Sequence, residues 1–301
     1  MKKYVFFALI VCILFSCEKE VTIPIDYTNP KLVVNSLFNT DSLWEVELSA
    51  SQYIYDSGIP PLVSDAQVTV KDGSGNTHIL ANLGQGIYKS ATEMPSIGQT
   101  YTLEVSHNNY ENVTAINSLP STVSIQQIEW QQQSIVNGKT YRKIHLTLQD
   151  SPEDNFYMIR MAGSFWVEVY DTLTWQLTDS VLEIHPIWFI TQSPAVENIN
   201  PYEPAPSITF KDKVFNGNQY TIDLLLEDYY FSEEKESLES IYIITSAISQ
   251  EYYWYQTSYQ NYMNSQGGKF FSQPVQVYTN IDKGLGIFAG YSTQIDSLVV
   301  Q

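Results

Sequence analysis

Four histidines, His78, His107, His145 and His185, are the side chains of this sequence best suited to metal or proton chemistry, and their spacing argues against both. A zinc hydrolase sets two histidines one helical turn apart with a carboxylate between them, so that ligands and base share a face. Here each histidine stands alone, on or beside an expected strand, where a structural role is the ordinary one. A serine nucleophile needs the sharp G-x-S-x-G turn, which the chain lacks. Gly284-x-Gly286-x-x-x-Gly290 has the glycines of a phosphate loop but the wrong spacing, and no helix follows to hold an anion, so tight β packing is expected there. Asp150, Glu153 and Asp154 could offer oxygens to calcium, yet they lack the alternating spacing of a calcium loop and are expected on a solvated turn. Glu233, Glu234, Glu236 and Glu239 are expected on an exposed loop or short helix. These patterns assign no catalytic residue, no metal ligand and no cofactor.

One residue does carry a specific chemistry. Lys2 and Lys3 precede an uncharged apolar run, Tyr4 to Phe15, and Ser16 then stands before Cys17. The run is well short of the ~20 apolar residues that span a bilayer, so a removable signal over residues 1–16 is expected. Leu14-Phe15-Ser16-Cys17 resembles the lipobox of bacterial lipoproteins, although Phe15 is bulkier than the usual residue. That resemblance implies cleavage before Cys17, diacylglycerol on its thiol and acylation of the new amine. Of the two cysteines in the chain, Cys12 lies in the part removed, so Cys17 alone remains. A lone thiol is a liability in an oxidising compartment, and it fits a site of lipid attachment. Each buried methylene would contribute ~0.8 kcal/mol of anchoring. Residues 17–30 follow as an acidic tether with Glu18, Lys19 and Glu20. It resembles the surface-export signal of Bacteroidota lipoproteins, and a charged linker lifting the domain from the membrane is the alternative.

The net charge is -18, and loss of Lys2 and Lys3 leaves 13 basic against 33 acidic residues, or -20. Such a field repels phosphate backbones, which excludes nucleic acid as a partner. Hydrophobic residues at 44% and aromatics at 14% are enough for packed cores.

The elements that must position these residues are strands. Trp44 to Ala50 alternates with a period of two, and Ala66 to Val70 alternates into Asp72-Gly73-Ser74-Gly75-Asn76, a hairpin signal. Thr77 to Leu80, Gly86-Ile87-Tyr88 and Gly98 to Val105 continue the pattern. The expected fold class is mainly β. Residues 31–120 form an immunoglobulin-like or prealbumin-like β-sandwich, and residues 121–301 form a larger antiparallel β domain with one packed helix. In the second domain Asn137-Gly138 joins two strands, Gly163 and Ser164 mark a bulge, and Ser193 to Pro206 is a proline-rich loop. The helix is expected near 249–264, stopped by Gly267-Gly268, with Tyr252, Tyr255, Tyr259 and Tyr262 on the packed face. Pro274 to Ile281, Gly284 to Tyr291 and Gln294 to Val300 are expected as strands.

The order of several segments is similar to that in a broad family of Bacteroidota outer-membrane lipoproteins whose defining domain has no assigned function. They are Cys17 with its acidic leader, Pro30 to Asn35, Asp150 to Tyr157, Asp212 to Gly217, and Pro274 to Ile281 with Gly284 to Phe288. The resemblance implies a lipid-anchored outer-membrane protein on the periplasmic or extracellular face, often beside a TonB-dependent β-barrel transporter. It brings no binding residues with it. From the residues themselves, Tyr253 and Trp254, off the packed helix face, and Tyr202, in the proline-rich loop, are candidate interface residues. Ser42, Thr172, Ser180 and Ser297 stand in tripeptides resembling the O-glycosylation sequence of Bacteroidota. The functional expectation is a non-catalytic accessory subunit of a transporter. A freestanding glycan- or peptide-binding module is the alternative, and a hydrolase comes last.

Overall fold

The computed structural model describes residues 29–53, 56–197, 200–231, 237–265 and 275–300. The signal segment, Cys17, most of the tether, Glu233, Glu234, Glu236 and Gly267-Gly268 lie outside the described residues. Among the described residues the fold is mainly β with one α-helix, as its alternating patterns require.

The first unit contains β1 (Leu32–Phe38), β2 (Glu45–Ala50), β3 (Gln67–Asp72), β4 (Thr77–Gly84), β5 (Ile87–Lys89), β6 (Thr100–Ser106) and β7 (Val113–Ser118). They pair antiparallel in the order β1-β2-β5-β4-β3-β6-β7. The β3–β4 turn is built by Asp72, whose carboxylate accepts bonds from the Ser74 and Asn76 backbone and the Asn76 side chain. Alternate residues point inward, and Phe38, Trp44, Tyr101 and Phe288 meet ring to ring at 4.7–6.1 Å in the centre. Full burial of such side chains contributes roughly 1.5–3 kcal/mol each.

Phe288 belongs to a strand from the far end of the sequence, and here the expected boundary at residue 120 needs correction. β15 (Leu285–Val299) serves both units. Its first half runs parallel to β1, from Val33↔Leu285 to Phe38↔Gly290. Its second half runs antiparallel to β14 (Ser237–Ile248), starting at Ile248↔Tyr291. The first core is therefore completed by Ile281 and Phe288. The segments expected over Gly284–Tyr291 and Gln294–Val300 are one continuous strand. Residues 275–281 form no ladder, contrary to expectation. They are held by side chains instead: Asn280 donates to the Phe288 carbonyl at 2.7 Å and accepts from its N–H at 3.0 Å.

The second unit packs two sheets. One is β13 (Gln219–Glu227), β9 (Lys139–Gln149) and β8 (Ser124–Val136). The other runs β11 (Leu177–Ile187), β10 (Phe156–Tyr170), β14 and β15, with β12 (Ser207–Lys211) also on β10. Ile144, Leu146 and Leu224 from the first sheet share a core with Ile159, Phe210 and Ile243 from the second. β10 carries a near-continuous apolar run because its other face is covered too. There the helix α1 (Gln250–Ser265) sets Tyr252 and Tyr253 against Met158, Ile287 and Ala289. Ser249 caps it, its hydroxyl accepting from the Tyr252 N–H at 3.3 Å. β10 changes register against β14 between Ser164 and Phe165, beside the expected bulge.

Candidate binding surface

The expected interface residues separate. Trp254 is 41% exposed, its ring 5.3 Å from that of Tyr278. Tyr202 is 52% exposed in its proline-rich loop. Tyr253 is a correction: it is buried, with its ring 5.1 Å from Phe156. The first turn of α1 packs on the sheet face that carries Met158, Ile248, Ile287 and Ala289, and both adjacent tyrosines are covered there. Tyr259, expected on the packed face, is exposed and stacks on Tyr255. Ser42, Thr172, Ser180 and Ser297 are all exposed and do not form one patch; Thr172 and Ser180 share the β10–β11 hairpin.

The histidines stay apart. His107 pairs with Asp65 at 2.8 Å, His145 with Asp223 at 3.0 Å and His185 with Glu183 at 3.0 Å. Among the described residues no three metal-ligating side chains converge. Asp150 differs from the solvated turn residue expected of it. It is buried, bonded to the Tyr157 hydroxyl, and accepts from the Gly217 N–H at 2.7 Å. Neighbouring Asp212 is buried as well and accepts from the Asn155 N–H at 2.7 Å. Burial pushes the Asp212 carboxyl up, against the opposing backbone bond, and the nearby Asp150 charge adds to the rise. Two segments quoted for the family resemblance thus meet as a fold-holding node.

Sequence reasoning missed an aromatic cleft of about 330 Å³, lined by Trp188, Pro204, Glu227, Tyr229 and Tyr230. Trp188 follows directly on β11, and the two tyrosines stand on a one-turn 3-10 helix, Asp228–Phe231, directly after β13. Their rings stack at 4.1 Å. The Trp188 N–H donates to the Tyr230 hydroxyl at 3.1 Å. Backbone bridges Phe189↔Ala205 and Ile190↔Leu225 fix the strands beneath. The 3-10 turn is pinned by Arg142, which bonds Asp228 at 3.2 Å and lies 3.9 Å over the Phe231 ring. Burial, then the Tyr230 hydroxyl, pushes the Tyr229 phenol up. Glu227 accepts from the Lys139 ammonium at 3.1 Å. Trp188 is 50% exposed. Rigid aromatic faces with one carboxylate at hand can grip a flat or ring-shaped group by contact and hydrogen bonding. No local signal joins Trp188 to Tyr229, because strand pairing brings them together.

Away from the cleft, β10 and β11 run on to a hairpin tip as an arm. β10 and β11 stay paired to Tyr170↔Leu177, past the Trp166↔Ser237 pair that β10 makes with β14. Every β11 residue from Leu177 to Pro186 is exposed. At the tip the Asp171 carboxylate accepts from the Leu173 and Thr174 N–H groups and the Thr174 hydroxyl, and these bonds, the Thr174 N–H foremost, hold its carboxyl below the usual range. Trp175 sits at φ 55°, a left-handed conformation uncommon for a bulky residue.

A larger cleft of about 590 Å³ lies where the units meet, lined in part by Asn117, Glu153, Asp154 and Glu251. Its central polar group is already used: Asn117 donates to Glu251 at 2.6 Å and accepts from the Gly290 N–H at 2.9 Å. No described helix is long and apolar enough to cross a membrane.

The profile of a family described as Domain of unknown function (DUF4249) matches residues 18–296, and the chain belongs to that family. No curated protein matches the sequence.

Proposed function

We propose that this DUF4249 member is a lipid-anchored, non-catalytic binding protein that serves as an accessory subunit of an outer-membrane TonB-dependent transporter. The observation that carries the reading is the aromatic cleft of Trp188, Tyr229 and Tyr230, whose rigid ring faces suit capture of a ligand by contact. The placement at the outer membrane rests on Cys17, with the short apolar run before it, and on the resemblance described above. The same cleft also supports a freestanding glycan- or peptide-binding module as a second reading. The two readings differ in whether a barrel is bound.

Purification of the tagged protein from its own membranes in mild detergent should retrieve a large β-barrel partner. Repeated recovery of the protein alone would count against the accessory role. Trp188→Ala should lower ligand capture at least tenfold and leave the barrel bound. Cys17→Ser should move the protein from the membrane to the soluble fraction, and a variant still firmly bound would remove the lipid anchor from this reading.

A further inference from the structure

We infer that the β10–β11 arm is a docking element for a protein partner whose surface offers an apolar recess bordered by lysine or arginine. The arm is built to show apolar side chains. Trp166 and Leu182 face each other across its strands at 42% and 45% exposure. Val169 and Val181 are exposed as well. At the tip Leu173 and Trp175 stand out at 89% and 78%. A strand pair with one solvated face alternates apolar and polar residues, and this one carries exposed apolar residues on both faces.

The tip is also preorganised. Its polar groups bond among themselves: Asp171 holds Leu173 and Thr174, the Trp175 N–H donates to the Asp171 carbonyl at 2.9 Å, and the Asp171 N–H donates to the Gln176 carbonyl at 2.9 Å. The turn therefore needs nothing from a partner to keep its shape, and Leu173 and Trp175 are left to make the contact. Large apolar anchors held in place before binding are the usual centre of an interface.

Charge selects the occupant. No lysine or arginine occurs between Arg160 and Lys211, and the arm carries Glu168, Asp171, Asp179 and Glu183. A second copy would bring the same acidic ribbon on a chain of net charge -18, and an anionic bilayer would repel it in the same way. A basic-rimmed protein surface complements both the apolar strip and its acidic border.

The inference does not depend on the aromatic cleft, and it holds whether or not the partner is a transporter. The test places a photo-crosslinking phenylalanine analogue at Leu173 of the full chain in its native membrane, with the same analogue at exposed Ile79 of the first unit as control. Irradiation at 173 should yield an adduct with another protein, and its crosslinked peptide should be apolar with flanking lysine or arginine. The adduct should fall at least tenfold in Trp175→Asp, and more steeply as salt is raised. Both variants replace exposed residues, so their melting temperatures should match the parent. An adduct only with lipid, only with a second copy, or with a peptide lacking basic residues would overturn the proposal. So would an adduct that Trp175→Asp leaves unchanged, or none at 173. The adduct at 173 tests the arm and barrel retrieval tests the accessory role, so either can fail while the other stands.

Discussion

Asn280 and Phe288 bond to each other as two strand residues would, with a side-chain amide standing in for a backbone. The amide both donates to and accepts from the Phe288 main chain, and the Phe288 ring is fully buried. An unsatisfied buried backbone group costs ~1–3 kcal/mol. Asn280→Ala strips a partner from two such groups and should lower stability by ~2–6 kcal/mol in urea unfolding. A loss within experimental error would mean that water replaces the amide without penalty.

Gly286 lies at φ 100° in the parallel β1–β15 contact, and a Cβ there would overlap the Val34 carbonyl oxygen. Backbone, not a flexible side chain, stands in the way. Gly286→Ala should therefore cost more than ~2 kcal/mol, combining the unfavourable φ with forced separation of the strands. A melting temperature equal to the parent would show that β1 and β15 can part without loss.

Tyr253 and Trp254 are neighbours with opposite environments. Removing the buried Tyr253 ring as Tyr253→Ala should cost ~3–5 kcal/mol. Trp254→Ala removes a ring that touches Tyr278 but is 41% exposed, so the loss should be clearly smaller, at about 1–2 kcal/mol. Equal costs in a denaturant titration would contradict the placement of α1.

The raised Asp212 carboxyl gives a signed pH effect. The native state holds that proton more tightly than the unfolded chain does, so this residue's contribution declines as pH rises through the shifted value. Asp212→Asn keeps an acceptor for the Asn155 N–H and abolishes the titration. Its stability relative to the parent should climb from about pH 4 towards neutrality. A difference that stays flat over that range would show that Asp212 titrates normally.

The parts of the fold legible in the sequence are those decided within a few residues. Asn137 and Gly138 both take positive φ at the β8–β9 turn, as their types suggest, and Asp72 to Asn76 closes β3 on β4. The helix was found within one residue, because tyrosine spacing and Ser249 act locally. Its packed face was misassigned at Tyr253, since the entry angle of α1 is set by β10 and β15, not by its own period. Parallel pairing of β1 with β15 leaves no local mark, so the first unit was expected to close on itself. The candidate sites were illegible for the same reason. Trp188 and Tyr230 meet only through strand pairing, and the apolar residues of β11 have the look of a core strand until their exposure is known.

The strand shared by the two units ties their assembly together. Asn39 and Tyr291, bonded at 2.6 Å, are 252 residues apart. The open edge of β1 pairs only with a segment from the far end of the described chain, which makes closure slow and leaves the edge exposed to wrong partners until then. Once closed, the shared strand should make both units melt in a single cooperative step.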